Sequence, residues 1–275
     1  MSKLLSANFM RLTKNKCFWG CFLFLVITSI YIPVRDYIDA KILGSTGILD
    51  AKFFYCSFFV PILLSVFCSL FVGTEYSDGT IRNKLMIGHR RIHIYFANLL
   101  TSMFAGLVMC TIYFIVYLCA GLPLLDFFIS DTKTILCFIS ITIMLCFAFS
   151  SIFTMMAMIS ANKAVVSATC IISTFLLLLA GTYLASRLHE PETFSNYSYT
   201  VGGELQKEEE KNPLYLDGTK RDIYQFLYDF LPGGQVIQCS SREEKNAHIL
   251  PVYSGIIFLA ATSAGIVLFK RKDIK

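Results

Sequence analysis

A short polar stretch at 71–91 separates two long apolar runs: Phe-Val-Gly-Thr-Glu-Tyr-Ser-Asp-Gly-Thr-Ile-Arg-Asn-Lys-Leu-Met-Ile-Gly-His-Arg-Arg. It concentrates side chains that could do chemistry: the acids Glu75 and Asp78, the phenol of Tyr76, the hydroxyls of Ser77 and Thr80, and the cations Arg82, Lys84, Arg90 and Arg91. Their types suit recognition rather than reaction. Ser77 or Asp78 can cap a helix. Ile81 and Leu85, four apart, would then face the membrane while Arg82 and Lys84 face elsewhere. Gly73 can release the chain from the preceding run, and Gly88 can close the new helix in a left-handed conformation. The pattern predicts a small surface helix shaped to be gripped by a partner. The alternative is a basic stop-transfer loop. That reading explains the cations but not the cap, the apolar pair or the closing glycine.

Glu75 is the acid nearest a run interior. A charge at a membrane edge usually has a partner, and Arg82, Arg11 or Lys14 can supply it; a solvated interfacial acid is the alternative. No other acid or base sits at depth, so a proton relay is not expected. His89 and His93 share a helix face, but two histidines without a third ligand make a poor metal site. No GxxxxGK[ST] run is present, so the phosphate cradle of an ATPase is missing. No Ser/His/Asp set or carboxylate pair stands out, which leaves a membrane-embedded enzyme without support. Any ATP that drives the protein is bound, with its magnesium, by another chain.

The elements that must position these residues are apolar helices. The chain of 275 residues is 55% hydrophobic and only 16% charged. A bilayer crossing needs ~20 apolar residues, and spans fit at 17–34, 53–72, 94–122, 134–160, 164–186 and 249–269. The fold class expected is an all-α membrane protein of six transmembrane helices. The runs do not alternate polar and apolar residues, which excludes an outer-membrane barrel. The segment before the first run is long, basic and followed by no small-residue cleavage site, so a cleaved signal is not expected. With both termini in the cytoplasm, the inner segments hold 13 of the 24 Lys and Arg residues but only 3 of the 19 acids. That bias sets the orientation. The net charge of +5 is thus a membrane asymmetry and implies no nucleic-acid partner.

Residues 1–16 form a basic amphipathic segment, with Leu5, Phe9 and Leu12 on one face, suited to the membrane interface. Residues 35–52 read as a short outer loop, where Gly44 and Gly47 disfavour helix. Pro61 should kink the second span, and residues 160–163 make a tight inner turn. The 187–248 segment is the sizeable soluble part. Its charged centre, 204–211, reads as a loop. An amphipathic helix follows, with Ile223, Phe226, Leu227 and Phe230 on one face and Pro232 and two glycines as its stop. This segment is too small for a core of its own and should pack on the outer ends of the spans. Nine of the ten cysteines lie in spans and read as small core residues; Cys239 bridged to Cys56, Cys119 or Cys137 is the alternative. Asn196-Tyr197-Ser198 matches a glycosylation acceptor. In the fourth span, Met144, Met155, Met156 and Met158 cluster with Ser150, Ser151 and Thr154. Such residues can line an adaptable path for membrane lipid or cargo, or serve ordinary packing.

The run Gly73-Thr-Glu-Tyr-Ser-Asp-Gly-Thr-Ile-Arg-Asn-Lys-Leu, with Gly88-His-Arg-Arg after it, resembles the coupling segment of type-two ATP-binding-cassette (ABC) exporter permeases. Members serve bacterial export of peptides, drugs or sodium and antibiotic immunity. The resemblance covers the whole chain, more weakly at Leu231-Pro-Gly-Gly-Gln235 and Phe269-Lys-Arg-Lys-Asp-Ile-Lys. It implies an N-terminal elbow helix, a cytoplasmic coupling helix between spans 2 and 3, and a multi-pass protein of the bacterial cell membrane. It also implies two copies of an ABC ATPase subunit as partners, a second permease of the same or a sister chain, and ATP hydrolysis on the ATPase. By position, Glu75, Tyr76, Asp78, Thr80, Ile81, Arg82, Lys84 and Leu85 would form or brace the docking surface. The implied cargo is amphipathic or hydrophobic: a peptide (an antimicrobial one included), an antibiotic as in multidrug resistance, or a lipid. The long outer loop departs from compact members. A non-transporting sensor or immunity protein that binds a peptide through 187–248 is the competing reading.

Overall fold

The structure, a computed structural model, describes residues 1–160, 162–199 and 205–272, without the side chains of 195–199 and 205–209. The Asn196 acceptor lies outside the described side chains. In chain order the elements are α1 (Ser2–Thr13), α2 (Lys16–Ile42), α3 (Asp50–Phe53), α4 (Cys56–Ser77), α5 (Thr80–Met86), α6 (Arg91–Gly121) and α7 (Thr132–Ile159). Then follow α8 (Lys163–Leu188), β1 (Thr193–Tyr199), β2 (Leu205–Lys211), α9 (Gly218–Phe230), α10 (Pro232–Ser241) and α11 (Leu250–Arg271). Among the described residues, six helices are long and apolar enough to cross a membrane: α2, α4 with the short α3 before it, α6, α7, α8 and α11.

The α3–α4 span is the axis of the bundle. Its most apolar stretch is 67% buried within the protein, against 28% for α2, α8 and α11. The α4 sequence is apolar on all sides, as a helix surrounded by others must be. Between its ends the polar exceptions are small serines bonded to their own helix: Ser65 Oγ donates to Ile62 O at 2.7 Å and Ser69 Oγ to Val66 O at 2.9 Å. Satisfied in this way, they let neighbouring helices approach closely. Helices α6, α7 and α8 surround α4; α2 packs outside α6 and α11 outside α7.

Several expectations are corrected. The first span does not stop at residue 34. α2 runs through Pro33 to Ile42, supported by the Arg35–Asp39 pair at 3.1 Å, and Gly44 ends it at φ +66°. The 204–211 stretch is not a loop where it is described. Residues 205–211 form β2, antiparallel to β1 in the register Thr193↔Lys211. Pro232 does not only stop α9; it is the first residue of α10, where its missing N–H costs nothing. The two following glycines let α10 sink between the span ends remote from α5. A Cβ on Gly233 would lie 1.7 Å from Leu177 O, and one on Gly234 would lie 2.0 Å from Tyr228 O. Gln235, Val236 and Cys239 are consequently buried. Cys239 is a free thiol beside Thr142 Oγ1 at 3.3 Å, and the cysteines are all unbridged.

Charge also fastens this end of the bundle. Asp50 is 1% exposed and accepts from Ser130 N at 2.8 Å, Ser130 Oγ at 2.7 Å, Ile129 N at 3.1 Å and Arg242 Nη1 at 3.1 Å. Arg242 holds a left-handed conformation at φ 58° where α10 ends. One carboxylate thus joins the loops before α4, before α7 and after α10.

Helix α11 reaches α6 where Gly265 lies against the ring of Tyr95, whose buried hydroxyl has no hydrogen-bond partner among the described residues. A methyl at Gly265 would strike that hydroxyl. Gly265→Ala should therefore lower the thermal unfolding midpoint in detergent, at an overpacking cost of roughly 1–3 kcal/mol. Tyr95→Phe should cost little alone and restore part of the loss in the double variant, because the ring carbons Cζ and Cε2, 2.7 and 2.8 Å from the new methyl, remain. Equal losses in both backgrounds would show that the hydroxyl is not what the new methyl meets.

Candidate functional site

The 71–91 segment is helix, turn, helix. α4 does not end at Gly73. It passes that glycine, which packs closely on Lys163, and continues to Ser77. Neither Ser77 nor Asp78 caps α5; Asp78 closes α4, and Gly79 at φ +65° both ends the turn and starts α5. Thr80 Oγ1 donates back to Glu75 O at 3.0 Å. Gly88, at φ +93°, does close α5 as the sequence suggests: its N–H donates to Leu85 O at 2.9 Å, and that of His89 to Lys84 O at 3.1 Å. That pair of bonds satisfies carbonyls the short helix would otherwise leave open.

Glu75 is the centre of the site. Its side chain is fully buried, and Arg11 and Lys84 both donate to its Oε1. Asn98 Nδ2 donates to Oε2 at 2.8 Å. Asn98 Oδ1 accepts from Asn8 Nδ2 at 2.7 Å, and Asn8 Oδ1 accepts from Lys84 Nζ at 3.3 Å, which closes a ring of polar groups among α1, α4, α5 and α6. Arg11 also donates to Phe71 O at 2.6 Å and stacks 3.7 Å over the Phe71 ring. Of the partners the sequence offered, Arg11 is the one used; Arg82 is exposed instead. Lys84, expected to face away, turns inward. Asn8 and Asn98 escaped the sequence reading. A lone asparagine inside an apolar run, and another among the buried positions of an amphipathic segment, were the available signals.

A second cluster lies beside the first. Tyr76 Oη donates to Met158 O at 2.6 Å, a carbonyl of the last turn of α7 that no later helical N–H reaches. Lys272 Nζ donates to the same carbonyl at 3.3 Å and sits 3.8 Å over the Tyr76 ring. Burial pulls the Lys272 ammonium down to about 8. Arg91 caps the end of α11 by donating to Phe269 O at 2.9 Å, Lys270 O at 3.0 Å and Lys272 O. Both ends of the described chain therefore lie with α5 at one end of the bundle.

The expected docking set divides in two. Glu75, Tyr76, Thr80, Ile81, Lys84 and Leu85 point inward; Ile81 is 1% exposed. Asp78 and Arg82 point outward, joined by Met86 and Ile87, which are 68% and 77% exposed. The inward group ties α5 to the spans, and the outward group is a mixed apolar and charged surface. His89 and His93 are half-buried, and no group of three metal-ligating side chains occurs among the described residues. Ser150, Ser151, Thr154 and Met158 are wholly buried and Met155 partly so. In this conformation that face of α7 is interior packing, and a path along it would need α7 to part from its neighbours.

Glu75→Gln should leave two partly buried cations without their counter-charge and lower stability by up to about 3 kcal/mol, the low end of the cost of breaking a buried pair. Lys84→Met should cost clearly less, because Arg11 still neutralises Glu75. Thermal unfolding in detergent reads both; similar losses would mean that the charge balance at Glu75 is not what holds α5.

No curated protein matches this chain. The family described as ABC-2 family transporter protein matches residues 4–181, which run from the first buried leucine of α1 through most of α8 and include the whole Glu75 cluster. The chain belongs to this family, and it is the membrane component of an ABC transporter, whose nucleotide is bound by a separate ATPase.

Proposed function

We propose that this chain is the permease of an ATP-driven exporter and that α5 is its coupling helix, the element through which the ATPase moves the spans. The observation that carries the reading is the two-sidedness of α5. Its inner side is locked to α1, α4 and α6 through Glu75, Lys84 and Ile81, while its outer side offers Asp78, Arg82, Met86 and Ile87 to a partner. A helix of seven residues transmits force only if it cannot rotate independently of the spans, and the buried ion cluster supplies that stiffness.

In this reading both ends of the chain and α5 are cytoplasmic, as the excess of Lys and Arg there favours. α1 is the elbow helix at the membrane surface. One chain has six spans, so two permeases, identical or sister, enclose a path and rest on two ATPase subunits. ATP binding draws the ATPases together, the docked α5 helices follow, and the spans rock as rigid bodies. The cargo is amphipathic or hydrophobic, a peptide, antibiotic or lipid, moved outward from a bacterial cell or its membrane.

Charge reversal with an apolar-to-acid change on the outer side, Arg82→Glu with Met86→Asp, tests the reading. Co-purification with the cognate ATPase should fall on the order of 30-fold, the loss of one strong interface contact. Cargo-stimulated ATP hydrolysis in proteoliposomes should fall with it. Stability should stay within about 0.5 kcal/mol of the parent, because the changed side chains are exposed. Unchanged recruitment and stimulated hydrolysis would sink the docking role of α5.

A further inference from the structure

We propose that the groove between α2 and α6 binds an anionic phospholipid, with one acyl chain between the helices and the phosphate at the turn joining α1 to α2. The groove encloses about 290 Å³ and is lined by Phe22 of α2 and by Phe104, Leu107, Thr111 and Ile115 of α6, among others. Thr111 is its one polar lining side chain. From Phe104 to Ile115 the helix rises about 16 Å at 1.5 Å per residue. That is close to half the ~30 Å hydrocarbon core, the depth of one leaflet.

The basic end of the groove has an aromatic floor. Phe9 of α1 meets Phe104 edge-on at 4.9 Å, and Trp19 meets Phe22 at 5.4 Å. Beyond this floor lie the exposed Lys14 and Lys16, on either side of Asn15, whose side chain caps α2 by accepting from Phe18 N at 3.0 Å. Lys16 stands about 9 Å along the axis from Phe22, a headgroup's reach from the start of the groove. Neither lysine has an acidic partner among the described residues. Glu75, the buried acid at this end, is already shared by Arg11 and Lys84. The uncompensated charge selects an anionic headgroup. It also argues against a second copy of this chain, because a two-fold contact through this face would set lysines against lysines.

Trp19 is the sole tryptophan and flanks the groove, so its fluorescence reports the occupant. The full chain is reconstituted in phosphatidylcholine vesicles containing equal fractions of either phosphatidylglycerol or phosphatidylcholine with brominated chains. At low salt, quenching should favour brominated phosphatidylglycerol by a relative affinity on the order of tenfold, as two lysines near an anionic headgroup predict. Lys14→Gln with Lys16→Gln, or high salt, should bring the ratio towards one; the Lys14→Arg, Lys16→Arg pair should preserve it. Thr111→Phe, which fills the groove and keeps the charge, should also reduce it towards one. Parity in the parent protein overturns the proposal. So does a preference that survives Thr111→Phe undiminished, which would be surface attraction without a groove. Quenching by neither lipid overturns it too, since the face would then be covered by protein. No ATPase takes part, so the outcome is independent of the transport reading.

Discussion

An ionised carboxylate with no access to water persists at the end of a membrane helix only when its neighbours neutralise it and fill its lone pairs. Glu75 meets that condition through Arg11, Lys84 and Asn98, and each comes from a different element. The demand of one side chain therefore holds α1 against the bundle, turns Lys84 of α5 inward and fixes the face that α6 presents. Phe71, one turn earlier on α4, completes the arrangement by offering both its carbonyl and its ring to Arg11.

The same device recurs at the far end of the span. Asp50, just before α4, is as buried as Glu75 and gathers Arg242, Ser130 and the amide of Ile129. The central span thus carries a buried carboxylate at each end, each drawing in a cation from a segment remote in sequence. Between them α4 is apolar, with serines bonded to their own backbone, so side-chain packing fixes its middle and charge fixes its ends. A span held in this way is fixed to its neighbours along its whole length. That is the mechanical property a transporter helix needs if a push at one end is to arrive at the other.

The small clusters at the α5 end divide the labour. Glu75 joins the first half of the chain, and Tyr76, the next residue, joins the second half through Met158 and Lys272. Arg91, at the start of α6, holds the end of α11. Successive residues at the end of one helix reach opposite sides of the bundle because they point about 100° apart.

The spans and the helix of α9 are legible in the sequence because each is a local pattern of apolar residues, but the face α9 buries is not: Ile223, Phe226 and Leu227 are exposed while Tyr228 and Asp229 are buried. The closing role of Gly88 is legible too, a matter of one residue's backbone freedom. Likewise the type-two permease resemblance lies in a continuous run at 73–91, which reads the same however the chain folds. The path of α2 beyond Pro33 is not legible, because Gly44 and Gly47 suggest a loop; ion pairs along the helix and to Lys52 carry it on to Ile42 before either glycine is reached. The hairpin of β1 and β2 was missed because a run of glutamates has no apolar alternation to announce a strand.

What only the tertiary structure decided is the direction each polar side chain takes. Lys84 and Arg82 are near neighbours in the sequence and chemically alike, yet one turns inward to Glu75 and the other faces out. Asn8 and Asn98 stand out in the sequence only as polar residues among apolar ones, and they meet because α1 lies across α6. Hydropathy is a property of the residue and survives in the sequence. A hydrogen bond or ion pair is a property of two residues, and folding alone determines which two.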